Sequence, residues 1–158
     1  MPDATNLIRI VAATIRDDAG RLLLVRKQGT QAFMLPGGKR EPQEDDAATL
    51  ARELHEELGC TLRPGSLRYL TTLSAPAANE PGHMVEAALY TVALVGTPSV
   101  SAEIAELRWI DLDPPPDLPL APLARDGVIP LLRADEAAVI PGQRRALGPE
   151  PINTSGSE

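Results

Sequence analysis

The chain has 158 residues, enough for one domain with a sizeable core, and its 43% hydrophobic and 23% charged residues are those of a globular protein. A net charge of −7 and a pI near 4.9 argue against binding along a nucleic-acid backbone, which needs clustered Lys and Arg; they suit a divalent cation, or simply a solvated acidic surface. The single cysteine, Cys60, excludes an internal disulfide or a multi-cysteine zinc site and reads as a small buried hydrophobe.

Met1 to Asn6 lacks the basic and apolar regions of a signal peptide, and no apolar run approaches a membrane span, so a cytoplasmic location is expected. Leu7 to Ile15 is β-branched and apolar on both faces, as in a strand covered on both sides. The turn Asp17-Asp18-Ala19-Gly20 and the run Leu22 to Val25 then predict a hairpin, ending in the basic pair Arg26-Lys27. Pro36-Gly37-Gly38 predicts a turn where backbone can approach another group closely.

The spacing of Ala47, Leu50, Ala51, Leu54 and Leu58 predicts a helix over Asp46–Leu58, with Asp45 as N-cap and Gly59 as stop. Strands are predicted over Leu67–Leu73, Met84–Val95 and Ile104–Ile110, with a loop from Ser74 to Gly82. Asp113 to Asp117 is stiff connecting chain, and Leu123 to Ala138 suggests a second helix interrupted or begun at Pro130. Residues 1–140 are expected to form one domain, and the Pro-, Gly-, Ser- and Asn-rich residues 141–158 a disordered tail. Interleaved strands and helices without regular βαβ units predict an α/β fold, a mixed β-sheet between helices in an α/β/α sandwich.

Glu53, Glu56 and Glu57 fall within about a third of a turn of the first helix, expected on the flank away from Leu50, Leu54 and Leu58. Like charges so placed repel, and Arg52, solvent or a hard divalent cation would compensate them. Gly38, five residues, Glu44, seven residues, then Arg52-Glu53-Leu54-x-Glu56-Glu57-x-Gly59-Cys60 matches the Nudix box at each of its nine specified positions. The chain therefore resembles the Nudix hydrolase (MutT-like) family, and its leading strands, Pro-Gly-Gly segment and Glu103-x5-Trp109 extend the likeness over roughly residues 7 to 135.

The resemblance implies an α/β/α sandwich that hydrolyses, with Mg²⁺ or Mn²⁺, the pyrophosphate bond of a nucleoside diphosphate linked to another moiety. It implies Glu53, Glu56 and Glu57 as metal ligands with the carbonyl of Gly37, Arg52 as the group orienting the glutamates, and Gly38 and Glu44 in support, Glu44 near the metal through water. Glu103 resembles the family's outside glutamate, ahead of Glu106 and Glu86, and stands behind Glu53 as base. Arg26, Lys27 and Lys39 are candidates for balancing phosphate charge, and Phe33 for stacking a base or plugging the core; Trp109 reads as core.

Pro76 stands about sixteen positions after the box, where family members preferring ADP-ribose often carry a proline, so a nucleotide sugar is expected ahead of nucleoside triphosphate sanitation. Flanking motifs for coenzyme A or dinucleoside polyphosphates are not found. The alternative is a non-catalytic, nucleotide-sensing domain, against which the complete set of box glutamates stands. Expected partners are the small-molecule substrate, no nucleic-acid polymer, no membrane and, as an open alternative to a monomer, a second copy of the chain.

Overall fold

The computed structural model describes residues 6–137 except 102 and 116, so the predicted 141–158 tail lies outside the described residues. Its strands are β1 (Leu7–Thr14), β2 (Leu22–Lys27), β3 (Gly37–Gly38), β4 (Thr61–Leu62), β5 (Arg68–Pro76), β6 (Met84–Thr91), β7 (Leu94–Val95) and β8 (Ile104–Ile110). Helix α1 spans Asp46–Leu58; a π-helical segment, Leu123–Val128, leads into α2 (Ile129–Ala137). A mixed sheet runs in the order β3-β1-β6-β5, with β1 parallel to β6, beside the two-stranded pairs β2-β8 and β4-β7. No described helix is long and apolar enough to cross a membrane.

Strict alternation along β1 and β2 divides the core in two. Ala12, Leu22 and Leu24 face Leu123, Val128, Ile129 and Leu132 of the second helical region, whereas Val11, Ala13, Leu23 and Val25 face Leu50, Leu54 and Leu58 of α1. Both strands are thus covered on both faces, and each fully buried leucine contributes about 1.5–3 kcal/mol of transfer free energy. The result is the expected α/β/α sandwich. Helix α1 has its predicted ends: Asp45 accepts from the Ala48 N–H at 2.8 Å, and Gly59 adopts φ +69°. Trp109 packs against the α1-side core, and Cys60 is buried there, burial pushing its thiol up.

Several expectations change. β1 and β2 do not form a hairpin ladder; beyond the Arg16–Leu22 bridge and the Leu23-to-Ile15 hydrogen bond they part, and β2 pairs with β8. The Pro-Gly-Gly segment takes the vacated edge of β1 as a short strand rather than a turn, with Val11 opposite Gly38 and Ala12 opposite Gly37. Only glycine fits there: at Gly37, whose φ is +145°, a Cβ would lie 2.2 Å from the Val11 carbonyl oxygen.

Ser74, Ala75 and Pro76 continue β5 instead of starting the loop, Pro76 being tolerated at the end of an edge strand. The strand expected over Met84–Val95 breaks after Thr91, and β7 pairs with the unforeseen β4. Ala51 is exposed because it is turned about 100° from Leu50 around α1. The second helical region changes character next to Pro130 as expected: the π-helical segment ends at Val128 and α2 begins at Ile129, with Pro130 in its first turn.

Candidate active site

The site lies where β3 meets α1. Glu57 follows Leu50 by seven residues, which brings it about 20° from that leucine around the helix, on the packed face and not on the flank away from it. Glu57 is accordingly buried, and its Oε1 accepts the Gly37 N–H at 3.2 Å. Burial first, then the neighbouring charge of Glu53, pushes its carboxyl well above the usual range, against the opposing effects of the Gly37 N–H and Lys27. Gly38 runs against Glu53 so closely that a Cβ would sit 2.3 Å from Glu53 Oε2.

Arg52 organises the other flank. Its Nε and Nη2 reach the two oxygens of Glu44 at 2.7 and 2.9 Å, Nη1 reaches Glu53 at 3.0 Å, and Nη2 also donates to the Lys39 carbonyl at 3.0 Å. Glu56 lies 3.5 Å from Arg52 Nη1. The Arg52 fork, with the Glu41 N–H and the Thr49 hydroxyl, holds the Glu44 carboxyl down to about 2. Glu44, expected near the metal through water, thus commits both oxygens to Arg52. Among the described residues no three acidic, histidine or cysteine side chains converge as they stand, since Glu53 and Glu56 turn to Arg52 and Glu57 to Gly37.

A cavity of about 380 Å³ opens on this seam. It brings together Gly37, Gly38, Lys39, Glu53, Glu56, Glu57 and, from the turn just before β8, Glu103. A β-bulge helps place that last residue: Arg26 pairs with Glu106 but Lys27 with Ile104, leaving Ala105 unpaired, and Gln28 N–H donates to the Glu103 carbonyl at 2.7 Å. Glu106 and Glu86 are engaged elsewhere, by Arg26 and Arg9.

Two of the expected contacts are not brought to this cavity. Arg26 is in phase with Leu22 and Leu24, on the face of β2 opposite Leu23 and Val25, where it binds Glu106 and the Thr30 carbonyl. Phe33 is 4% exposed, plugs the core and lies under the Arg108 guanidinium at 5.2 Å from its ring centre. Both border a separate depression with Gln31, Arg108 and Pro115. Lys27, in phase with Leu23 and Val25, faces the carboxylates instead, and period-two alternation was the signal that separates it from Arg26. Asn79, Glu80 and an aliphatic wall including Ile8, Ile10, Val85 and Leu123 complete the cavity and carry no local sequence signal.

The donor set fits a hard divalent cation. It is all oxygen, and Glu57 and Glu53 set two carboxylates side by side in partial burial, where their mutual repulsion is relieved by a cation.

Fold and site together define a class: a mixed α/β/α sandwich with an acidic cavity at the junction of a diglycine strand and a glutamate-bearing helix. The chain belongs to the NUDIX domain family, whose sequence profile matches residues 6–132. It is 34% identical over 105 residues, 63% of this chain and 49% of the relative, to a CMP-5'-(N-acetyl-N-hydroxy-3-aminopropyl)phosphonate hydrolase of Streptomyces rubellomurinus. Among solved structures it resembles a MutT NUDIX hydrolase of Burkholderia pseudomallei (29% identity, TM-score 0.61, covering 72% of this chain and 89% of that one). It also resembles the ORF135 protein of E. coli (28% identity, TM-score 0.62, covering 90% and 100%). The chain spans about half the length of the curated relatives it matches.

Proposed function

We propose that this chain is a pyrophosphohydrolase that cleaves a nucleoside diphosphate linked to a second organic group, using Mg²⁺ or Mn²⁺. The observation that carries this reading is the gathering of Glu53, Glu56, Glu57, Glu103, Lys27 and Lys39 around one cavity. Glu53, Glu56, Glu57 and the Gly37 carbonyl would hold the cation. Bound there, it would neutralise charge on the diphosphate and acidify a water molecule.

The chain's own groups do the rest. Arg52, fixed by Glu44, orients Glu53 and Glu56; Gly38 leaves the space Glu53 needs. Glu53 takes the proton of the attacking water, with Glu103 on the facing wall behind it. Lys27 and Lys39 balance the phosphate oxygens. A nucleotide sugar, ADP-ribose among them, is preferred ahead of a nucleoside triphosphate, and the Streptomyces relative, named for a CMP-linked phosphonate, supports a nucleotide joined to an organic group. Pro76 is exposed at the end of β5 and does not line the cavity, so it adds nothing to that preference. A cytoplasmic setting, and assembly with a second copy as an alternative to a monomer, belong to the same reading.

A Mg²⁺-dependent panel of ADP-ribose, other nucleotide sugars, dinucleotide polyphosphates and nucleoside triphosphates tests it. Cleavage of at least one is expected, with Glu53→Gln or Glu57→Gln lowering kcat by about 100-fold or more while the fold is kept. Nucleotide binding with no turnover of any diphosphate compound would favour the sensing domain instead. Full metal-dependent activity in Glu57→Gln would remove Glu57 from the ligand set.

A further inference from the structure

The box accounts for only part of the cavity. Another part is an aliphatic chamber of Ile8, Ile10, Val85, Leu123 and Ala124, rimmed by Asn79 and Glu80 from the connection between β5 and β6. None of the lining residues is aromatic, so a base seated here is held between aliphatic side chains and is not stacked on a ring. The distances suit a nucleoside. Val11 is paired with Gly38 and Ile8 with Val85, so the diglycine strand and the chamber are three residues apart along β1, about 10 Å at a strand's rise. That is comparable with the reach from a diphosphate to the base it carries.

The β5–β6 connection is folded on itself. Ala77 N–H donates to the His83 carbonyl at 2.9 Å, His83 N–H donates to the Glu80 carbonyl at 3.1 Å, and His83 Nδ1 lies 3.1 Å from the Pro81 carbonyl. Those bonds spend backbone and His83 only; among the described residues the side chains of Asn79 and Glu80 have no hydrogen-bond or ion-pair partner. A free carboxylate beside the site of a polyanion, on a chain already at −7, repels the ligand unless the ligand brings it a donor. An ionised carboxylate only accepts, and the adjacent amide both donates and accepts.

We infer that Asn79 and Glu80 select the nucleoside by its hydrogen-bond donors, an exocyclic amino group or a ribose hydroxyl, while the aliphatic chamber holds the base. This rests on the hydrolase reading for the placement of the phosphates but not for its test.

Calorimetric titration of the full chain with CMP, UMP and 2′-deoxy-CMP in Mg²⁺ reads binding without turnover, since none has a pyrophosphate bond. Glu80→Ala is expected to weaken CMP about tenfold, the loss typical of a charge-assisted hydrogen bond, with Asn79→Ala weakening it less. If the donor is the amino group, UMP binding is unmoved by Glu80→Ala; if it is the 2′-hydroxyl, UMP weakens equally and 2′-deoxy-CMP is unmoved. Either pattern supports the inference. It is overturned if both variants, melting as the parent does, bind all three nucleotides as the parent does, or if the parent binds none. A parent that binds CMP selectively yet hydrolyses no diphosphate compound overturns the hydrolase reading alone; an active parent with unaffected variants overturns this one alone.

Discussion

The two flanks of α1 carry the same side-chain type in opposite circumstances. On one, Arg52 gathers Glu44 and Glu53 into a nearly saturated ion network, with Glu56 at its edge. On the other, Glu57 is buried beside Glu53 with only one backbone N–H and the field of Lys27 in its favour. The comparison teaches that one helix holds carboxylates in two electrostatic settings: those bonded to Arg52 are fixed and kept ionised by its guanidinium, whereas burial beside Glu53 disfavours the charged form of Glu57.

The two glycines of β3 break this division most sharply. Gly37→Ala places a Cβ against the Val11 backbone and forces L geometry into φ +145°, which costs about 1–3 kcal/mol from the backbone angle before the clash is counted. Urea denaturation should show a large drop in midpoint. Gly38→Ala meets only the movable end of Glu53, so stability should stay near that of the parent while kcat falls about 10–100-fold through displacement of Glu53. Equal losses of stability in the two would erase the distinction.

Arg52→Lys keeps the charge and removes the fork. Activity should fall about 10–100-fold and the Mg²⁺ concentration for half-maximal rate should rise, because the glutamates lose their alignment. Smaller still is the contrast along β2. Lys27→Ala should raise KM about tenfold, while Arg26→Ala, on the far face, should leave kcat and KM unchanged. Steady-state kinetics of the pair tests whether strand alternation assigned them correctly.

The smallest effect is in acid. The folded carboxyl of Glu44, held at about 2 by Arg52, lies below its ordinary value of 4.5. Its contribution to stability is therefore present above about pH 4.5 and lost as pH falls toward 2. Glu44→Gln should be less stable than the parent near neutrality, and the gap should close across that window in denaturant titrations.

The legible part of the molecule was the part whose signal is local. The ends of α1 follow from Asp45 and Gly59, its packed stripe from Leu50, Leu54 and Leu58, and the covered strands from continuous β-branched runs. The box residues stood at fixed spacings, with Arg52, Glu53, Leu54, Glu56 and Glu57 on one helix. What failed depended on competition between distant segments. The predicted β1–β2 hairpin lost its edge to Gly37 and Gly38; the missing Cβ of Gly37 lets it lie against the Val11 backbone of β1, where any other residue would clash. β4 and β7 are two residues each and exist only by pairing with one another.

The sequence by itself determined the helix, its caps, the carboxylate set and the family, because each rests on residue type and short spacing. Tertiary structure decided which face each charge took. Glu57 went under and not outward because it follows Leu50 by seven residues on a packed helix, and Arg26 and Lys27 separated because neighbouring strand residues point to opposite faces. It also brought Glu103, Asn79 and Glu80 to the cavity from segments remote in the chain, through pairings that no local pattern records.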